Sequence, residues 1–267
     1  MAPHAYRKRL LLLAVSLLPF VLALFGLVAP LPARAAGDLR ILVETSTPMP
    51  MTQIERGELV GGIHHDVGLA LARQMGRTPE FELLPRKRVV MALEDGHADI
   101  SCHFRPSWLT GDFDWSQPFL PNALLLVSDA AAPRAASLDD VTNVPLGTVL
   151  GFAYPEVSKA LGPRFARDDA PSSANNLSKL AAGRVQYALV GEAFLHYQQA
   201  SGQFKLPIHP PLLVQRYEAQ CAVSRHGQVK VAEVDRAILA LKRSGELRTI
   251  YAMYRQDAGP DGHAGTR

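Results

Sequence analysis

The stretch "RKRVVMALEDGHADISCHFRPSWLTG", Arg86 to Gly111, decides how the chain is read. Val89 and Leu93 stand four residues apart and so share a helix face, and Gly96 supplies a stop. Ala98, Ile100, Cys102 and Phe104 then alternate with polar partners, which is strand periodicity. Arg105 and Trp108 follow beyond the carboxyl end of that strand. In open α/β sheets this is where ligands bind. A helix, a strand and a polar-aromatic loop therefore follow one another in a short space.

The same alternation extends in both directions. Upstream, "LRILVET" is a short apolar run suited to a strand covered on both faces, and "FELLP" is a second. "TPMPMTQIERGELVGG" reads as a loop or hairpin. "HDVGLALARQMG" places Val67, Leu71 and Met75 at helical spacing. Downstream, "VPLGTVLG" and "RVQYALVG" are strands. "YPEVSKALG", "SSANNLSKLAAG" and "EAFLHYQQASG" are helices, the second with serine or asparagine able to cap it. Two final helices are separated by Ser244-Gly245, and a polar tail follows. This alternation implies an α/β fold with a largely parallel sheet, in two similar rounds and hence two lobes. "FLPNALLLVSD" and "LLVQRYEAQCAVSR" are extended and suit two connections between the lobes.

The chain has 267 residues, of which 48% are hydrophobic and 20% charged, an ordinary globular balance. Its N-terminus departs from that balance. A basic start, "MAPHAYRKR", precedes an uncharged apolar run over residues 10–31 and then an Ala-Arg-Ala site at Ala33–Ala35. This order predicts a secretory signal peptide over residues 1–35, with an uncleaved membrane anchor as the alternative. The segment holds Arg7, Lys8, Arg9 and Arg34 and no acid. Its removal takes the balance from 28 basic against 25 acidic residues to 24 against 25. A near-neutral mature chain gives no electrostatic case for nucleic acid binding. Two cysteines, Cys102 and Cys221, then sit in an exported, oxidising setting.

Six segments in order give the sequence a family likeness. They are "LRILVET…PMPM", "GELVGGIHHDVGLALARQMG", "ALEDGHADIS", "DWSQPF", "LAAGRVQYALVGE" and "ILALKRSGELRTIYAMYR". Together they resemble the extracytoplasmic solute-binding proteins of the polar amino acid type, which serve ABC importers. The resemblance covers essentially the whole mature chain. It implies the type II periplasmic binding fold: two α/β lobes, two hinge strands and a ligand cleft between them. Residues 36–122 plus 219–267 would form the first lobe, and residues 123–218 the second. It also implies a periplasmic monomer that binds a small polar solute by hinge closure. Its partner would be an ABC permease or, alternatively, a membrane receptor. No cofactor is implied.

The family's amino acid contacts are altered in this chain. Its carboxylate-binding arginine would fall near Leu109–Gly111, where there is none, and Arg105 stands earlier in the same loop. Phe152 takes the place of a threonine in the second-lobe turn. The ammonium-binding aspartate would fall at Gly191, next to Glu192. Met51 replaces an aromatic, and His64 an aspartate, while Asp66 matches the next aspartate. The expected ligand-binding set is therefore Met51, His64, Arg105, Trp108, Phe152, Tyr154 and Glu192. Arg105 would hold an anionic group, and Trp108, Phe152 and Tyr154 would form apolar or stacking walls. Packing within the lobes is the other reading of the aromatics.

Three further constellations bear on function. His64, His65, His97, His103 and Cys102 show no spacing that would converge on a metal, so no metal site is expected. In the family's topology Cys102 and Cys221 lie on neighbouring strands, which leaves open a disulfide or two buried thiols. A dehydratase-like enzyme on this fold, with Glu192 or His103 as acid or base, is the less favoured alternative to a binding protein.

Overall fold

The computed structural model describes residues 37–256. The signal peptide expected over residues 1–35 and the polar tail lie outside the described residues. No described helix is long and apolar enough to cross a membrane.

The first lobe begins with β1 (Asp38–Glu44) and a small hairpin of β2 (Gln53–Glu55) and β3 (Glu58–Gly61). Helix α1 (Ile63–Gln74), β4 (Thr78–Leu84), the short helix α2 (Val89–Glu94), β5 (Ile100–Phe104) and β6 (Phe113–Trp115) follow. β1 runs parallel to β4 on one side and to β5 on the other. Ile41, Leu42 and Val43 are buried in sequence because this strand is covered on both faces. Leu39, Ile41, Val67, Leu71 and Ile100 pack on one face, and Leu42, Val89, Leu93 and Phe104 on the other.

The chain crosses on β7 (Leu120–Ser128) into the second lobe. There β8 (Leu146–Val149), α3 (Pro155–Leu161), β9 (Arg167–Ala170), α4 (Ser173–Ala181), β10 (Tyr187–Gly191) and α5 (Glu192–Ala200) repeat the pattern. β8 is parallel to β9 and β10. Leu125, Leu177, Leu180 and Phe194 fill one face of this sheet, and Leu126, Leu146, Val157 and Leu161 the other. Each fully buried leucine of this kind contributes roughly 1.5–3 kcal/mol.

The long strand β11 (Leu212–Ser224) returns, and α6 (Val231–Ser244) and α7 (Glu246–Gln256) close the chain. β11 pairs antiparallel with β7 from Leu212↔Leu126 to Ala219↔Leu120, then with β5 and β6. β7 and β11 are thus the two connections. They join both lobes in one path, β4-β1-β5-β11-β7-β10-β8-β9.

Local rules explain the element ends. Ser172 caps α4 by accepting from the Asn175 N–H at 3.2 Å. Gly245, at φ 78°, stops α6 in the left-handed conformation that glycine favours. Asp99, the aspartate of "ALEDGHADIS", is fully buried. It accepts the Arg40 fork at 2.7 and 3.2 Å and the backbone N–H groups of Arg40 and Gln228. Burial pushes its carboxyl up, but these donors outweigh burial and hold it below the usual range. Strand β9, "RDDA", had no apolar signal. It is an edge strand whose charges pair locally, Arg167 with Asp169 at 2.7 Å.

Candidate functional site

The carboxyl ends of β1, β5, β8 and β10 converge on a cavity of about 1090 Å³ between the lobes. Glu44 enters it from β1, His103 and Phe104 from β5, Phe152 and Tyr154 after β8, and Glu192 after β10. The two sides touch directly. The Ser173 N–H donates to the Ser46 carbonyl at 2.9 Å, and the Gln198 amide to the Met49 carbonyl at 3.3 Å.

Arg86 is the charged centre of the first-lobe wall. Pro85 ends the extended run at β4, and a 3-10 turn over Arg86–Arg88 swings the chain round. Arg86 is 8% exposed. Its guanidinium carbon lies 4.2 Å from the ring centre of Phe104 and 5.4 Å from that of Phe152. Nη2 donates to the Trp108 carbonyl at 3.0 Å. Among the described residues no carboxylate forms an ion pair with it. Burial drives its acidity constant from 12.5 down to about 10, against a partial upward pull from Glu44. A buried guanidinium without a salt partner is costly, and an anion placed here would relieve that cost. Nothing in the residue spacing alone singles out Arg86. The signal was "LPRKR", a cationic cluster directly after a strand end.

Arg105 is not among the residues that line the cavity. Its extended backbone, ahead of Pro106, turns the guanidinium to Glu156 on α3 at 3.2 Å and to the Gln215 side chain on β11 at 2.6 Å. Arg105 therefore ties the first-lobe loop to the second lobe and to a connecting strand.

The other expected residues do line the cavity. Met51 and His64 are each 8% exposed, and the His64 N–H donates to the Met51 carbonyl at 3.0 Å. Gly62 makes that turn feasible: it sits at φ 99°, and a Cβ there would lie 2.5 Å from the Met51 carbonyl oxygen. Trp108 is half-buried and packs edge-on against Tyr217 at 4.7 Å. Tyr154 is nearly buried, and its hydroxyl accepts from the Val149 N–H at 3.0 Å. Burial pushes its phenol up to about 12. It serves both as packing and as wall. Glu192 opens α5 and stands 4.0 Å from Arg216, towards the hinge. Asp66 has a structural task instead: it accepts from the Tyr254 hydroxyl at 2.7 Å, and that hydroxyl accepts from the Gly62 N–H at 3.0 Å.

His103 stands at the end of β5 with φ 71°, and its ring lies against His64 with centroids 3.9 Å apart. Burial lowers His64 to about 4, and burial with the His64 neighbour lowers His103 well below 6.5. Both imidazoles are neutral at pH 7. Next to His103, Cys102 is directly opposed to Cys221 on β11. Their sulfurs are bonded, with Cα atoms 3.8 Å apart. Among the described residues no group of three or more histidine, cysteine, aspartate or glutamate side chains could hold a metal.

Comparison with known proteins adds three findings. The profile described as "Bacterial extracellular solute-binding proteins, family 3" matches residues 39–257. No curated protein sequence matches the chain. Solved structures do. An ancestral arginine-binding protein bound to arginine is 21% identical, with a TM-score of 0.67 over 82% of this chain and 98% of its own. A substrate-binding protein of an amino acid ABC transporter from Streptococcus pneumoniae, bound to L-arginine, is 19% identical, with a TM-score of 0.67 over 84% of this chain and 96% of its own. The ancestral amino acid-binding protein described as a precursor of cyclohexadienyl dehydratase is 18% identical, with a TM-score of 0.67 over 82% and 96%. At these identities the likeness is one of fold.

Proposed function

Since the chain belongs to the bacterial extracellular solute-binding proteins of family 3, we propose that it captures a small carboxylate-bearing solute, an amino acid or a close analogue, between its lobes. The observation that carries this reading is Arg86, a buried cation facing the cavity between two aromatic rings without a carboxylate partner. An anionic group of the solute completes that pairing, and the guanidinium fork suits a carboxylate. Phe104, Phe152 and Trp108 supply the apolar walls that such pockets need. The protein acts as a monomer in the periplasm, exported by its N-terminal signal, and delivers the solute to an ABC permease. It is a binder and not an enzyme. Thermal-shift screening of the mature protein against amino acids, opines, polyamines and small carboxylates tests the reading. Saturable stabilisation by carboxylates supports it. Stabilisation by polyamines alone, or turnover of a bound compound, contradicts it.

A further inference from the structure

His103 stands out among the residues that line the cavity. Both of its ring nitrogens are buried, and neither has a hydrogen-bond partner among the described residues. A neutral imidazole offers one N–H donor and one acceptor nitrogen, and burying both unmatched is unfavourable. The backbone at His103 takes φ 71°, a left-handed conformation uncommon outside glycine that histidine adopts more readily than most residues. The neighbouring disulfide, Cys102 to Cys221, fixes the strand next to it. The ring is thus held in place at the cavity wall, tilted against His64, with both nitrogens left without a partner among the described residues. An unmatched buried polar group calls for a partner, and at the cavity wall a ligand is one that can supply it.

We propose that the His64–His103 pair is a subsite for an uncharged group of the solute that both donates and accepts hydrogen bonds, a hydroxyl or a carboxamide. The inference rests on the reading of Arg86 as the carboxylate site and narrows the solute to a hydroxy acid or an amide-bearing acid. Two neutral rings present both N–H and lone-pair edges. An ammonium or guanidinium only donates, and a carboxylate only accepts, so each leaves part of the pair unmatched. A plain hydrocarbon tail leaves all of it unmatched, and sites built to hydrogen-bond reject such analogues.

The test is calorimetric titration of the mature protein with matched probes. Glutamine, asparagine, malate and gluconate are compared with norvaline, succinate, arginine and lysine. Three proteins are used: the wild type, His103→Phe and His103→Asn. The phenyl variant keeps a ring and loses both nitrogens. The asparagine variant tolerates positive φ and keeps a donor and an acceptor. The proposal predicts that a hydroxyl- or amide-bearing acid binds the wild type about tenfold or more tightly than its matched counterpart. It predicts that this preference disappears in His103→Phe and partly returns in His103→Asn. Carboxylate binding without that preference, or a preference that survives His103→Phe, overturns the subsite and leaves the Arg86 reading standing. Binding only of probes whose affinity is unaffected by Arg86→Gln overturns both. If no probe of the set binds, the proposed solute class is wrong.

Discussion

The guanidinium of Arg86, in the first lobe, lies 5.4 Å from the ring centre of Phe152, in the second. Phe104 holds the other side at 4.2 Å, so the charge that faces the cavity is bounded by an aromatic ring from each lobe. The Phe152 contact spans the lobes, so on the proposed reading of Arg86 solute binding and closure are linked. Cation–π contacts of a desolvated cation contribute about 0.5–2 kcal/mol. Phe152→Ala should therefore weaken solute binding by roughly threefold to thirtyfold. Phe152→Tyr should keep most of the affinity. Titration of both variants with one carboxylate ligand checks this.

Arg105 reaches Glu156 and Gln215, a contact that also spans the lobes. Because the pair is partly solvated, Arg105→Ala should lower affinity by only about twofold to fivefold. The loss should be the same for every ligand, since Arg105 does not line the cavity. Small-angle scattering of the variant should report a more open average. A loss confined to one class of ligand would return Arg105 to the role of a direct contact.

The sulfur bridge between Cys102 and Cys221 closes a loop of 119 residues across directly opposed strand positions. Long loops gain the most from such a link, and its removal should cost about 2–5 kcal/mol. The Cys102→Ser/Cys221→Ser protein should melt well below the wild type. Native protein should take up alkylating reagent at both cysteines only after reduction.

His64 titrates at about 4 in the folded protein against 6.5 for an unperturbed imidazole. The unfolded chain therefore binds more protons between those values. Stability is fully present above pH 6.5 and is lost as pH falls towards 4, where the loss from His64 levels off at on the order of 3 kcal/mol. His103 acts in the same direction. Arg86 and Glu44 line the same cavity as the two imidazoles. His64→Phe should reduce the slope of stability against pH by about one proton. Chemical denaturation at a series of pH values measures it.

The fold was legible because its signals are local and repeated. "LRILVET", "HADISCHF" and "RVQYALVG" carry unbroken apolar or alternating runs, and each became a strand. β9 was not legible, because an edge strand needs one buried residue, Ala170, and its remaining side chains are charged. The site was legible in part. Residues in strand-end loops, such as Phe152 and Trp108, fall where the topology alone sends them. That Arg86 lines the cavity and Arg105 does not was illegible for one physical reason. Both are loop arginines beside a cleft, and which of them turns inward depends on a 3-10 turn after Pro85 and on Glu156, a residue 51 positions away from Arg105. Spacing along the chain does not encode that choice.

On the proposed reading, Arg86, buried and without an ion-pair partner among the described residues, holds the solute's carboxylate. Calorimetric titration of Arg86→Gln with the best carboxylate from the screen tests it most directly. Charge-assisted hydrogen bonds of this kind contribute about 1.5–3 kcal/mol, so affinity should fall by roughly tenfold to more than a hundredfold. The unliganded variant should stay folded, because the desolvation cost of the guanidinium is removed together with its partial attraction to Glu44. An unchanged dissociation constant in a folded Arg86→Gln protein would contradict the account.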